Sequence, residues 1–261
     1  MPSMSKDTSR HDKHEENHVT PGERLIVALD FNNLSEALEL VDSLEGSVSF
    51  FKVGFELFLS AGLDAIKALH ERGHKVFFDL KMDDVVETIT RAMRQMAALN
   101  VEFVTIHGSE ATARAAVDGR GENALPKIFQ ITVLTSLNGQ DFHKLGVVGE
   151  GRPFATIERY IEARAESALQ MGCDGLITSG ENVGALRQHF VDKNPILICP
   201  GIRPEGLGTD DHKRPCTPFQ AIKDGADYIV VGRPIRNSAN RPDAAKRIIE
   251  DIGRGISARV Y

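Results

Sequence analysis

Short hydrophobic runs, rich in β-branched and aromatic side chains, alternate along the chain with stretches of helical periodicity. Eight of these runs predict strands, at 24–30, 49–56, 75–80, 102–108, 127–135, 175–180, 195–201 and 227–234. Between them, apolar residues spaced three and four apart predict helices, among them 34–44, 84–99, 153–171 and 218–224. The strand runs are nearly continuous rather than alternating, which is typical of parallel strands buried on both faces.

Eight strand–helix units in about 240 residues predict an α/β fold of the (β/α)8 TIM-barrel type, in one domain over 21–261. An open, doubly wound sheet is the main alternative, but no glycine-rich dinucleotide or phosphate motif follows any of the strands. Two long connections, 136–152 and 202–217, leave the carboxyl ends of their strands, where barrels of this type build active sites. Both are candidate lids.

The first twenty residues differ from the rest, because seven are charged and three are His. Such a composition predicts a short disordered tail over residues 1–20. His14, Glu15 and His18 match the HExxH pattern of zinc proteases. No apolar face would anchor a helix there, so a disordered tail is favoured over a metal site.

Composition narrows the class of partner. The 261 residues include 31 basic and 37 acidic side chains, a formal charge of −6, whereas nucleic-acid-binding proteins usually show a basic stripe. No apolar run approaches the roughly 18 residues of a membrane span. Cys173, Cys199 and Cys216 show no CxxC spacing, which favours a reduced, cytoplasmic protein. We therefore expect neither nucleic acid nor a membrane as a partner.

Ionisable residues are concentrated at the ends of the first three predicted strands. Strand one ends in Asp30, strand two carries Lys52 within an apolar run, and strand three ends in Asp79 and Lys81. Lysine is rarely buried without a partner, and side chains two apart point to the same side of a strand. Because neighbouring strands end at one rim, the sequence predicts a network of alternating charges there.

A second cluster has the character of a phosphate site. The last predicted strand ends in Gly232 and Arg233, and the one before it is followed by Arg203. The loops after strands seven and eight commonly hold a phosphate in such barrels. Glycine permits close approach of the backbone, and the forked guanidinium group suits phosphate oxygens.

Residues 79–84 read DLKMDD, a DxKxxD pattern, in order with VALD, FKVGFELF, LTS, PGIRP and VGRPI. Together these motifs resemble the orotidine 5′-phosphate decarboxylase family over nearly all of the chain beyond the tail. The resemblance implies decarboxylation of orotidine 5′-phosphate to UMP, the last step of de novo UMP synthesis, in a homodimer. It implies no metal or other cofactor. Taken alone, Asp84 could instead be the N-cap of the next helix.

The resemblance also implies individual roles. The catalytic residues would be Lys52, Asp79, Lys81 and Asp84, with Lys81 protonating C6 of the pyrimidine and Asp84 reaching into the partner's site. The substrate-binding residues would be Asp30, Lys52, Thr88, Thr135, Arg203, His212, Gly232 and Arg233. His212 occupies the place of the family's usual lid Gln; Lys213 or Gln220 is the alternative if loop length shifts the alignment.

Two other functions fit parts of the pattern. Sugar-phosphate decarboxylases or aldolases of the wider superfamily share DxKxxD but use magnesium, and Lys52 within FKVGFELF favours the nucleotide substrate over these. A non-catalytic barrel that binds a phosphate ligand would need a disrupted charge array, yet all four of its residues are present.

Overall fold

Eight parallel strands form a closed barrel in the order of the sequence, with the first strand hydrogen-bonded to both the second and the last. The structure, a computed structural model, describes residues 19–134, 137–205 and 216–259. The strands are β1 (Leu25–Ala28), β2 (Phe50–Gly54), β3 (Lys75–Met82), β4 (Phe103–Ile106), β5 (Lys127–Ile131), β6 (Gly175–Ile177), β7 (Ile196–Cys199) and β8 (Tyr228–Val231). The predicted barrel is confirmed.

Helices separate the strands and cover the outside of the barrel. Those of the described residues are α1 (Leu34–Ser43), α2 (Phe55–Ala61), α3 (Asp64–Glu71), α4 (Val86–Ala98), α5 (Glu110–Arg120), α6 (Gly139–Lys144), α7 (Ile157–Gln170), α8 (Gly180–His189), α9 (Pro218–Lys223), α10 (Arg233–Arg236) and α11 (Arg241–Ser257). No helix in this part of the chain is both long enough and apolar enough to cross a bilayer.

Burial on both faces of the strands explains why the hydrophobic runs are continuous. On β2, Phe50 belongs to the apolar cluster inside the barrel, and Phe51 belongs to the cluster between barrel and helices. Phe77 and Phe78 divide in the same way on β3. The two-residue alternation of a strand is therefore present, but both of its faces are apolar.

Aromatic rings fill the amino-terminal half of the barrel interior. The Phe103 ring lies at the centre, with its centroid 4.9 Å from that of Phe50 and 4.7 Å from that of Phe129. Tyr228 packs edge-on against it at 5.2 Å. This layer closes the barrel from below and leaves its carboxyl end as the open side.

The inward positions directly above this aromatic layer are polar. Two residues further along β2, β3 and β4 lie Lys52, Asp79 and Thr105, respectively. Since side chains alternate along a strand, all three point to the barrel axis. The alternation of side chains along the strands therefore positions a polar layer directly above the aromatic layer.

The start of α4 corrects one expectation about Asp84. The helix begins at Val86 and Val85 occupies the N-cap position, so Asp84 is not the N-cap. Its carboxylate instead accepts a hydrogen bond from the Val85 backbone N–H at 2.6 Å. Strand β3 extends to Met82, so a short connection that includes Asp84 separates it from α4.

The predicted tail and lids are described only in part. Of residues 1–20 only Val19 and Thr20 are described, and the Thr20 hydroxyl donates to the Glu23 carboxylate at 2.8 Å. The HExxH segment lies outside the described residues. The first long connection contains the short helix α6, which Asn138 and Asp141 cap reciprocally. The second is described only at its ends.

Two half-buried Arg–Asp pairs lie at the amino-terminal end of the barrel. Asp227 precedes β8, and its Oδ2 accepts from the Arg187 guanidinium at 2.7 Å and from the Leu197 N–H at 2.8 Å. Asp174 precedes β6 and accepts in the same manner from Arg120 and from the backbone of β5. Each carboxylate thus joins a helix to a neighbouring strand.

We predict that Asp227→Ala lowers the free energy of unfolding by about 2 kcal/mol, because it removes the only carboxylate paired with Arg187 in the described part of the chain and leaves the Leu197 N–H of β7 without its acceptor. The midpoint of urea unfolding measures this change. Asp192→Ala, at an exposed position, is the control and should shift stability by no more than about 0.5 kcal/mol. Equal stability of the two variants would contradict a stabilising role for the Asp227 pair.

Candidate active site

Four side chains form a row of alternating charge at the carboxyl end of β1, β2 and β3. The Lys52 ammonium lies 3.2 Å from Asp30 Oδ1 and 3.5 Å from Asp79 Oδ2. The Lys81 ammonium lies 2.8 Å from the same Asp79 oxygen. The structure thus brings together Asp30, Lys52, Asp79 and Lys81, as the sequence predicts, and we call this row the charge array.

Strand register and one glycine create room for the charge array. Lys52 pairs with Ala28 of β1 and with Phe77 of β3, so it stands between the two strands that carry its partners. A Cβ at Gly54 would lie 2.8 Å from the Lys52 nitrogen and 3.5 Å from Asp30 Oδ1. Any larger residue at position 54 would therefore displace this ion pair.

The environment of the charge array keeps its buried members ionised. Burial alone would raise the pKa of the Asp79 carboxyl, but the ammonium groups of Lys52 and Lys81 outweigh it and hold that pKa below its ordinary value. Burial alone would lower the pKa of Lys52, but Asp79 and Asp30 raise it above its ordinary value. Both shifts favour the charged forms, so Asp79 and Lys52 are ionised at neutral pH.

Thr105 belongs to the site, although the sequence analysis did not single it out. Its buried hydroxyl donates to Asp79 Oδ1 at 2.7 Å and accepts from the Lys81 backbone N–H at 2.9 Å. Its position in the sequence offered one indication. Thr105 lies two residues after Phe103, which belongs to the apolar cluster inside the barrel, and side chains two apart on a strand face the same side.

A cavity of about 190 Å³ lies against the charge array. The ionic residues Lys52, Asp79 and Lys81 line one part of it, and apolar side chains of β5, β6 and β8 line another. Ile131 and Val230 are among the latter. Such a site combines fixed charges with an apolar wall, which suits a small ligand with a charged part and an apolar part.

The predicted phosphate residues Arg203 and Arg233 line a different cavity, of about 680 Å³, beyond the ends of β7 and β8. Arg203 is buried, and its guanidinium donates to the Ile202 carbonyl at 2.8 Å. A Cβ at Gly232 would lie 3.6 Å from Asp30 Oδ2, so the glycine brings this segment next to the charge array.

Arg236 is a second residue that the sequence analysis missed. Its guanidinium donates to the backbone carbonyl of Asp30 and lies 5.6 Å from the centroid of the Phe31 ring. It follows Arg233 by one helical turn on α10, so one short helix carries Arg233 and, through Arg236, contacts the residues that follow β1. No motif in the sequence indicated this contact.

Two further predicted residues that the structure describes, Asp84 and Thr88, form no salt bridge or hydrogen bond with the charge array. Asp84 is exposed and, within the described part of the chain, forms no salt bridge. Thr88 is exposed on the first turn of α4. Thr135 and His212 lie outside the described residues, so their predicted roles stay predictions.

A family model described as "Orotidine 5'-phosphate decarboxylase / HUMPS family" matches residues 23–248, which is most of the chain. The chain belongs to this family. The match spans every member of the charge array and the Gly232–Arg233 segment.

Named relatives agree with the family. An orotidine 5'-phosphate decarboxylase of Bradyrhizobium diazoefficiens is 40% identical over 92% of this chain and 98% of its own length. That of Methylococcus capsulatus is 43% identical over 88% of this chain and 91% of its own length. The crystal structure of the Lactobacillus acidophilus orotidine 5'-phosphate decarboxylase superimposes with a TM-score of 0.74 at 32% identity, covering 88% of this chain and 99% of that one.

We predict that Lys52→Met raises the pKa of Asp79, because one attractive charge is lost while the burial of the carboxyl persists. NMR titration of the Asp79 carboxyl carbon measures the change, and Asp79→Asn identifies the resonance. Lys67→Met is the matched control, since Lys67 is exposed on α3 and pairs with Glu71. An Asp79 pKa that falls or stays constant in Lys52→Met would contradict the electrostatic account of the site.

Proposed function

We propose that the chain decarboxylates orotidine 5′-phosphate to UMP and CO₂, as the last step of de novo UMP synthesis. The observation that carries this proposal is the buried Asp79 carboxylate, held between the ammonium groups of Lys52 and Lys81 at the edge of a cavity. The names of the relatives support the same reaction.

The proposed chemistry explains why an ammonium group is needed. When the bond from C6 to the carboxylate breaks, its electron pair stays on C6 as a carbanion with no adjacent electron sink. A preorganised positive charge stabilises such an anion. In the proposal, Lys81 lies at C6, stabilises the developing charge and donates an Nζ proton to it. The resulting neutral amine then regains a proton from water.

Asp79 and Lys52 act on that lysine in the proposed reaction. Asp79 accepts from the Lys81 ammonium and thereby fixes the direction of its remaining protons. Its negative charge also disfavours the substrate carboxylate beside it, which is lost on formation of CO₂. Lys52 neutralises part of the buried charge and, with Asp30, meets the ribose hydroxyls.

The phosphate of the substrate would lie at Gly232 and Arg233, with Arg203 assisting. The approach of Gly232 to Asp30, where a Cβ would lie 3.6 Å from Oδ2, supports a phosphate position on the Asp30 side of the charge array. Thr135 at the pyrimidine, His212 in the connection after β7, and Thr88 complete the proposed contacts.

A magnesium-dependent sugar-phosphate enzyme of the wider superfamily is the second candidate, since such enzymes share the DxKxxD pattern of residues 79–84. The contact of Lys52 with both Asp30 and Asp79 favours the nucleotide reaction, because an ammonium group between the two carboxylates repels a divalent cation there. The absorbance decrease of orotidine 5′-phosphate, measured with and without a chelator, separates the two. Loss of all activity with chelator would contradict our proposal.

We predict that Lys81→Ala lowers kcat by roughly a hundred- to ten-thousand-fold, because the proton donor is removed. The same absorbance assay measures this loss. Lys75→Ala is the matched control: this lysine begins the same strand but lies exposed at its opposite end, and its removal should leave kcat unchanged. Full activity of Lys81→Ala would rule out the proposed proton donor.

We further propose a homodimer in which Asp84 completes the partner's site. Asp84 is exposed beside Val85 and Val86, whose side chains are 69% and 51% exposed. Phe55 and Leu59 of α2, which follows the neighbouring strand, are 53% and 80% exposed. A cluster of large exposed apolar side chains on one rim is typical of a protein interface.

We predict that co-expression of Lys81→Ala with Asp84→Asn restores about one quarter of the wild-type activity, although each variant alone is nearly inactive. In a mixed dimer of twofold symmetry, one of the two sites then combines an intact Lys81 with an intact Asp84. The control pair is Lys81→Ala with Asp79→Asn. These two residues lie in one chain's site, so no mixed dimer contains an intact site.

Recovery no greater than in the control pair would contradict the sharing of Asp84. Sedimentation of the wild-type chain as a monomer at assay concentration would contradict the dimer itself.

A cytoplasmic location, which the cysteine pattern favours, stays a prediction.

A further inference from the structure

The Thr105 hydroxyl bridges the two residues that carry the proposed chemistry. Its proton is donated to Asp79 Oδ1 at 2.7 Å, and its oxygen accepts the Lys81 backbone N–H at 2.9 Å. A hydroxyl has one proton and two lone pairs, so it can make both contacts at once. Thr105 itself is 1% exposed and makes both bonds away from solvent.

The backbone at Lys81 requires such a contact. The ladder between β3 and β4 changes register between Phe78 and Met82, so the strand bulges where Lys81 lies. Lys81 has a φ of 48°, in the left-handed region that non-glycine residues seldom adopt. A conformation of this kind costs about 1 kcal/mol or more and persists where neighbouring groups hold it. The side chain of Thr105 supplies a hydrogen bond at this irregular position.

The contact to Asp79 orients the carboxylate. With Oδ1 occupied by Thr105, Oδ2 is the oxygen that meets both ammonium groups, at 2.8 Å from Lys81 and 3.5 Å from Lys52. Rotation of the carboxyl group would break the bond to Thr105 and lengthen at least one ion pair. The threonine is β-branched and therefore stiff at χ1, so its hydroxyl is held in place.

We propose that Thr105 is a positioning residue for the decarboxylation: it fixes the backbone of Lys81 and the carboxylate plane of Asp79 together. The inference rests on the function proposed above. In this proposal, the buried Thr105 hydroxyl determines where the proton donor Lys81 lies relative to its counter-ion Asp79. A displacement of about 1 Å between reacting groups lowers a rate by roughly a hundredfold, so small shifts here have large effects.

A purely structural role for the hydroxyl makes a different prediction. Removal of any buried hydroxyl that satisfies other polar groups lowers stability. Only a positioning role lowers kcat in the folded enzyme while the affinity for the product, which lacks the reacting carboxylate, is retained. The chain offers a matched control in Thr112, a buried threonine of α5 that donates to the Asp83 carboxylate at 3.1 Å.

The experiment compares Thr105→Val, Thr105→Ser and Thr112→Val with the wild type. Valine keeps the shape of threonine without its hydroxyl, whereas serine keeps the hydroxyl. We expect Thr105→Val to lower kcat roughly 10- to 100-fold, with KM and the dissociation constant of UMP changed by less than about threefold. Thr105→Ser should recover most of the rate, and Thr112→Val should retain wild-type kcat.

Wild-type kcat in Thr105→Val would overturn the inference, provided that the wild type decarboxylates orotidine 5′-phosphate. So would a loss of UMP affinity as large as the loss of kcat, or a serine variant as slow as the valine variant. A wild-type chain without decarboxylase activity would instead contradict the proposed function. The two failures are therefore distinguishable in one set of assays.

Discussion

A buried carboxylate between two ammonium groups is the constraint on which the site depends. Asp79 is 8% exposed, and an isolated carboxylate at that depth would be strongly destabilised. Lys52 and Lys81 offset that penalty, and Asp30 in turn offsets the burial of Lys52. Each charge is tolerated because of its neighbours, so the row is stable as a set and unstable when any inner member is removed.

The barrel provides the geometry that makes such a row possible. Parallel strands end at one rim, and alternate residues of each strand face the axis. One register therefore supplies an aromatic layer around Phe103 and, two residues later, the polar layer of Lys52, Asp79 and Thr105. The apolar floor excludes water from below, which strengthens the electrostatic interactions above it.

Much of this arrangement follows from residue order. The strand runs predicted the barrel, and the positions of Asp30 and Lys52 at neighbouring strand ends predicted their ion pair. Local features were harder to foresee, because they depend on departures from regular structure. At the bulge in β3, the Lys81 N–H meets the Thr105 hydroxyl. Helix α4 begins only at Val86, which leaves Asp84 without the capping role. Hydrophobic periodicity contains no signal for such a bulge.

Contacts between single residues far apart in the sequence are the second kind of feature that could not be predicted from the sequence. Arg236 reaches the Asp30 carbonyl from α10, and Gly232 allows the preceding segment to approach the Asp30 carboxylate. Asp30 is thus the point at which the proposed phosphate side meets the charge array. A phosphate held at Arg233 would be linked to the proposed proton donor by four steps: Gly232 to Asp30, Asp30 to Lys52, Lys52 to Asp79, and Asp79 to Lys81. Binding energy from a remote group raises a rate when it fixes the reacting groups, and this short series of contacts gives it a direct physical route.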